Sequence, residues 1–263
     1  MILPDLLDDG AKRARFDRIC MQAMRERRES LRDGIGTLAE KWQHQIVKRY
    51  LSENPAEQEV RLSGTRFVSD VRVGNAVYEV QTGSFAPMKK KMERYFAEPD
   101  LTVTVVHPLP AVRRLAWMDP ETGEIGPRRR VAGKKEKIAL LPELYPLIPL
   151  LPMLAQGRLS FRLLLLEVQD FKLLDGTSRN RKAHATRLER IPTALLEDVT
   201  YAAPGDLAAL LPADLPDRMT VAEFSRATGL RGLDAYSAVR VLLALGVFGE
   251  AERSGRALTV CRS

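Results

Sequence analysis

Residues 67–85, FVSDVRVGNAVYEVQTGSF, decide how the chain is read. Two alternating apolar runs flank Gly74-Asn75, the signature of a β-hairpin with a two-residue turn. Such a turn fixes the register. Val73 pairs with Ala76, Arg72 with Val77, Val71 with Tyr78, and Asp70 comes opposite Glu79. Side chains alternate across a strand, so Val71, Val73, Tyr78 and Val80 share a core face. Asp70, Glu79 and Gln81 share the other face. Like charges set opposite one another in a sheet repel. Either that face is solvated, or a cation sits between the two carboxylates.

Working outward, TLAEKWQHQIVKRYL (37–51) has helical spacing at Leu38, Trp42, Ile46 and Tyr50. Strands are expected at 58–62 and 66–73, then at 76–82. A second helix over 86–97 follows, with Ser84 placed as its cap and Pro87 in its first turn. Met88, Met92 and Tyr95 mark the inward face of that helix. LTVTVV (101–106) reads as a buried strand. Helix, three strands, helix, strand is the order of a compact α/β unit with a mixed sheet.

Beyond residue 110 the expectations are a strand near 112–117, a basic loop at 127–137 and an apolar strand within 158–174. A second basic stretch spans 177–190. TALLEDVTYAAPGDLAALLPADLP reads as a helix and a Pro-rich linker. In 217–263, Thr220 and Glu223 form a capping box. A short helix, a Thr228-Gly229-Leu230 turn, a helix over about 233–245 and a hairpin with Ser254-Gly255 at its tip follow. That is the order of a winged helix-turn-helix. The division expected is a basic arm or helix at 1–35, an α/β domain at 36–200 with its core at 37–108, a linker at 201–216 and the C-terminal unit at 217–263.

The chain has 263 residues, a formal net charge of +7 and 45% hydrophobic residues. The basic balance fits a polyanionic partner. Two distant cysteines, Cys20 and Cys261, exclude a disulfide framework, and a cytoplasmic setting is the default. The Leu-rich region 139–166 is broken by prolines and charges, so no membrane span is expected. Walker A, Rossmann and HExxH motifs are absent.

Asp70, then Glu79-Val80-Gln81, placed after one helix and before another, resembles the PD-(D/E)xK nuclease superfamily. The likeness is to its restriction-endonuclease-like and archaeal Holliday-junction-resolvase-like members, over roughly residues 37–108. It implies a restriction-endonuclease-like mixed sheet flanked by helices. It also implies metal-dependent hydrolysis of DNA phosphodiesters, with Mg²⁺ or Mn²⁺ held by Asp70 and Glu79. The third motif position, usually lysine, is Gln81 here. Gln81 would orient the attacking water. Lys91, on the following helix beside its inward face, is the candidate replacement for the missing charge. An acidic residue on the first helix joins the metal site in resolvase-like members, and Glu40 would fill that place. Glu40, His44 and Lys48 form an i, i+4, i+8 stripe, which on a surface helix is equally a solvated face. His44 and Lys48 are candidate phosphate contacts, and His44 also a proton shuttle. Lys89, Arg128, Arg129, Arg130, Arg240 and Arg253 complete the candidate DNA-binding set. Superfamily analogy adds a homodimer. The alternative reading is a catalytically degenerate nucleic-acid binder that docks through its winged helix.

Overall fold

The computed structural model describes residues 3–32, 42–118, 126–131, 136–173, 186–254 and 257–262. Helix α1 (Asp9–Arg32) opens with Asp8 Oδ1 accepting from the Ala11 amide at 2.8 Å. It buries Phe16, Ile19, Cys20 and Ala23, one stripe at helical spacing. Helix α2 (Trp42–Leu51) buries Ile46, Val47, Tyr50 and Leu51. The expected residues 37–41 of this helix lie outside the described residues.

Three strands follow: β1 (Gln58–Arg61), β2 (Val68–Val73) and β3 (Ala76–Val80). Val73 pairs with Ala76 and Val71 with Tyr78, the register fixed by the turn. Gly74 has φ of +58° while Asn75 keeps a negative φ, the pattern of a type II′ turn. A 3₁₀ turn at Ala86–Met88 leads into α3 (Lys89–Phe96), whose Met92 and Tyr95 are buried. This crossover returns the chain to β4 (Thr102–Met118), parallel to β3.

β4 corrects the sequence reading, which stopped one strand at 106 and began another near 112. It is a single strand that passes through Pro108 and Pro110. The β3 ladder ends at Val80 opposite Val106, so the missing proline N–H groups break no bond to β3. The short β5 (Arg129–Arg130) pairs with Arg114 and Leu115 of β4. Helical turns at 137–155, including α4 (Leu140–Glu143) and α5 (Pro152–Ala155), lead to β6 (Leu159–Leu173), parallel to β4. β7 (Thr186–Tyr201) runs antiparallel to β6. The expected helix at TALLEDVT is therefore strand. Leu, Ala and Glu favour a helix weakly, and the long ladder offered by β6 overrides them.

The result is a mixed seven-stranded sheet in the order β1-β2-β3-β4-β6-β7, with β5 on β4. Helices cover both faces. α1 and α2 pack with Val71, Tyr78, Val80 and Val106 on one side. On the other, α3 and the 137–155 turns pack with Val77, Val103 and Val105.

After α6 (Pro204–Ala208), the C-terminal unit comprises β8 (Arg218–Thr220), α7 (Val221–Thr228), α8 (Leu233–Ala244), β9 (Phe248–Ser254) and β10 (Ala257–Arg262). Its three strands form a second sheet, β8-β10-β9. The capping box is present: Thr220 Oγ1 accepts from the Glu223 amide at 3.3 Å, and Glu223 Oε2 accepts from the Thr220 amide at 2.8 Å. Gly229, at φ +72°, ends α7 in the left-handed conformation. Phe224, Val239, Leu242 and Phe248 continue the same apolar cluster as Val103 and Leu141.

Candidate active site

The β2–β3 ladder stops at Val71 and Tyr78. Just beyond it, Asp70 turns its carboxylate into the ladder, and Oδ2 accepts from the Val80 amide at 2.7 Å. Asp70 and Glu79 thus sit where the two strands part. Their exposures differ sharply. The Asp70 side chain keeps 18% of its surface and that of Glu79 5%.

Glu79 shares its face with Val77, under α3. Lys91 Nζ lies 2.5 Å from Glu79 Oε2, and the Tyr95 hydroxyl donates to Oε1 at 2.6 Å. Both partners come from α3 at i and i+4, so one helical face presents them together. Burial pushes the Glu79 carboxyl up from 4.5 to about 7. The charge on Asp70 adds to that rise, and Lys91 and Tyr95 oppose it. Burial also pushes the Tyr95 hydroxyl up, and Glu79 adds to it. Asp70 moves the other way. Burial would raise it, but His44, the Val80 amide and Lys91 together hold it below its ordinary value. Two carboxylates that sense each other and share a lysine make one electrostatic unit.

α2 supplies the third side. His44 Nε2 lies 3.2 Å from Asp70 Oδ1. Lys48 is not a surface phosphate contact: its ammonium is buried and lies 2.7 Å from Glu59 Oε1. Glu59 stands on β1 between Gln58, opposite Val71, and Val60, opposite Ser69, which puts it beside Asp70. It holds φ of +52°, a left-handed conformation costing a glutamate about 1 kcal/mol. Glu59 thus lies next to Asp70 in strand register, its carboxylate turned to Lys48. Glu59 and Tyr95 were missed as site residues. Tyr95 was marked only as core, and its spacing from Lys91 was the available signal.

Gln81 lies on the segment leaving β3. Its side-chain amide donates to the Ser84 carbonyl, and its backbone carbonyl meets His107 Nδ1 at 2.6 Å. His107 is buried, edge-on to Phe85. Lys89 is half-buried at the start of α3. Glu40 lies outside the described residues. Arg128, Arg129 and Arg130 are exposed, far along β4 from Asp70. Arg240 is half-buried on α8, and Arg253 lies on β9, its side chain outside the described set. The second Glu-Val-Gln string, 167–169, lies on β6. Glu167 there pairs with Arg114 at 2.5 Å, and its neighbour Asp170 is buried between Arg113 and Arg190.

Asp70 and Glu79 are hard oxygen donors suited to Mg²⁺ or Mn²⁺. Their mutual repulsion, visible in the raised Glu79 carboxyl, is the condition a divalent cation relieves. Among the described residues, no three His, Cys, Asp or Glu side chains converge as a metal centre.

A family described as "Domain of unknown function (DUF8091)" has a profile that matches residues 41–202. The chain belongs to this family. The DUF8091 region spans α2 through β7 and so contains Asp70, Glu79, Lys91 and Tyr95. No curated protein and no solved structure matches the chain. Among the described residues, no helix is long and apolar enough to cross a membrane.

Proposed function

We propose that the protein is a metal-dependent DNA endonuclease of the PD-(D/E)xK type, with its C-terminal unit a winged helix. The observation that carries the reading is Lys91 Nζ at 2.5 Å from Glu79. A lysine from α3 reaches the place that Gln81, in the third motif position, cannot fill with charge.

In this reading Asp70 and Glu79 would hold a divalent cation, the place for Glu40 lying outside the described residues. That cation would supply polarisation of a phosphodiester and a water of lowered pKa. The chain's own groups do the rest. Lys91, beside Glu79, would meet the negative charge that builds on the phosphate. Gln81 orients the attacking water through its amide oxygen, its amide nitrogen being anchored on Ser84. His44, beside Asp70, would take the proton that the attacking water loses and release it to solvent. The C-terminal order of helix, turn, helix and hairpin supports a winged helix that contacts phosphates more than bases.

The test is cleavage of plasmid, linear duplex, four-way junction, flap and single strand, with Mg²⁺, Mn²⁺ or EDTA. Wild type is expected to cut at least one of these only with metal. Asp70→Ala and Glu79→Ala should not cut while keeping the wild-type circular dichroism. Full metal-dependent cutting by purified Asp70→Ala would sink the assignment.

One observation favours a second reading, a degenerate nucleic-acid binder. Both Glu79 oxygens are already engaged, by Lys91 and by Tyr95. That reading predicts salt-sensitive DNA binding without cleavage under any metal.

A further inference from the structure

Strands β4 and β6 run on well past the end of β3. β3 finishes at Val80, one residue after Glu79, whereas β4 continues to Met118 and β6 to Leu173. The sheet therefore projects an arm from the end that carries the carboxylates. β7 and β5 complete the arm.

Two acids of the arm, among the described residues, are already paired. Asp170 is closed between Arg113 and Arg190, and Glu167 is paired with Arg114. Exposed Arg128, Arg129 and Arg130, and half-buried Lys172, pair with no carboxylate among the described residues. Trp117 stands among them, half-buried. The Lys172 ammonium lies 5.4 Å and the Arg129 guanidinium 5.9 Å from its ring centroid. An indole face offsets part of the repulsion between two cations. The rest is left for a polyanion. An aromatic ring set among cations is also the composition of a single-strand binding surface, where bases stack and phosphates are neutralised.

We propose that this arm anchors DNA: Trp117 stacks on an unpaired base, while Arg128, Arg129, Arg130 and Lys172 hold the phosphates on either side. The proposal rests on the nucleic-acid reading of the protein but not on cleavage. Glu79 pairs with Val105, and Trp117 lies further along the same strand. At ~3.3 Å per residue the two are about 40 Å apart. An anchor at that distance holds the substrate about 12 nucleotides from the carboxylates, at the ~3.4 Å per nucleotide of a B-form strand.

The experiment measures affinity for a mixed-sequence DNA single strand of roughly 30 nucleotides, longer than this span, and for its blunt duplex. Fluorescence anisotropy with EDTA present keeps cleavage out of the reading. Trp117→Ala should weaken single-strand binding about tenfold and duplex binding less than about twofold. Trp117→Phe should restore most of the loss, separating stacking from a folding defect. The triple change Arg128→Ala, Arg129→Ala, Arg130→Ala should weaken both and reduce the salt slope on single strand by about two. Wild type that binds neither form overturns the proposal, as does Trp117→Ala with unchanged single-strand affinity. If the binding pattern holds and no substrate is cut, the nuclease reading falls and the anchor stands.

Discussion

Glu79 carries its charge into a nearly dry place, and that has a thermodynamic signature. In the unfolded chain the carboxyl ionises near its ordinary 4.5, and in the fold near 7. Between those values the folded state holds the extra proton. The stability from this group is therefore complete below about pH 4.5 and is lost as pH rises through 7. With EDTA present, Glu79→Gln should gain on wild type between pH 5 and pH 8, by about 2–3 kcal/mol in denaturant melts. A gap that stayed constant across that range would contradict the raised carboxyl. Lys91 stabilises the charged form of both carboxylates. On the proposed nuclease reading, Lys91→Met should reduce cleavage by about 10²–10³-fold at unchanged circular dichroism. The two carboxylates were legible because a two-residue turn fixes register. Glu59 was not, because its place beside Asp70 depends on a strand pairing that no local signal announces. His44 was legible only as part of a stripe, and the structure distinguishes it from Lys48, which is buried against Glu59.

At the scale of elements, α2 and the sheet are tied by a buried polar network. Arg162 on β6 is 1% exposed. Its guanidinium meets Asp198 on β7 at 2.5 Å and also reaches Asp5. The Tyr50 hydroxyl of α2 donates to Asp198 at 2.6 Å, and the Tyr78 hydroxyl of β3 to Asp5 at 3.1 Å. Removing one member leaves a buried charge without its partner. Asp198→Ala should cost about 3–5 kcal/mol, read as a fall in the urea midpoint. The hairpin and α3 could be read in advance because turn chemistry and helical spacing are local. β4 could not, because prolines inside a strand are tolerated only where a neighbour has ended. β7 could not either, because its partner, β6, outweighs its propensity.

For the molecule as a whole, the apolar cluster does not stop at the end of the DUF8091 region. Val103 and Leu163 of the large sheet share it with Val239, Leu242 and Phe248 of the C-terminal unit. Chain truncated after Leu215 should lose soluble expression and bind hydrophobic dye. A truncated chain with a cooperative melt and no dye binding would show instead that residues 41–202 fold alone. The capping box and the Gly229 turn of the C-terminal unit were readable in the sequence, but its apolar seam with the sheet was not.

The Asp5–Arg162–Asp198 network also imposes an order in time. The chain leaves the ribosome from its amino end at roughly 5–20 residues per second. Asp5 therefore waits about 10–40 s for Asp198 to be made. α1 waits as long for β7, against which it packs. Until then Phe16, Ile19 and Cys20, buried in the finished fold, lack the cover that β7 gives α1. Nascent chains arrested before residue 198 should be cut by protease within α1, and chains arrested well past it should resist. α1 is made well before the strand it packs on, so its early life depends on whatever shields apolar surface at the tunnel exit.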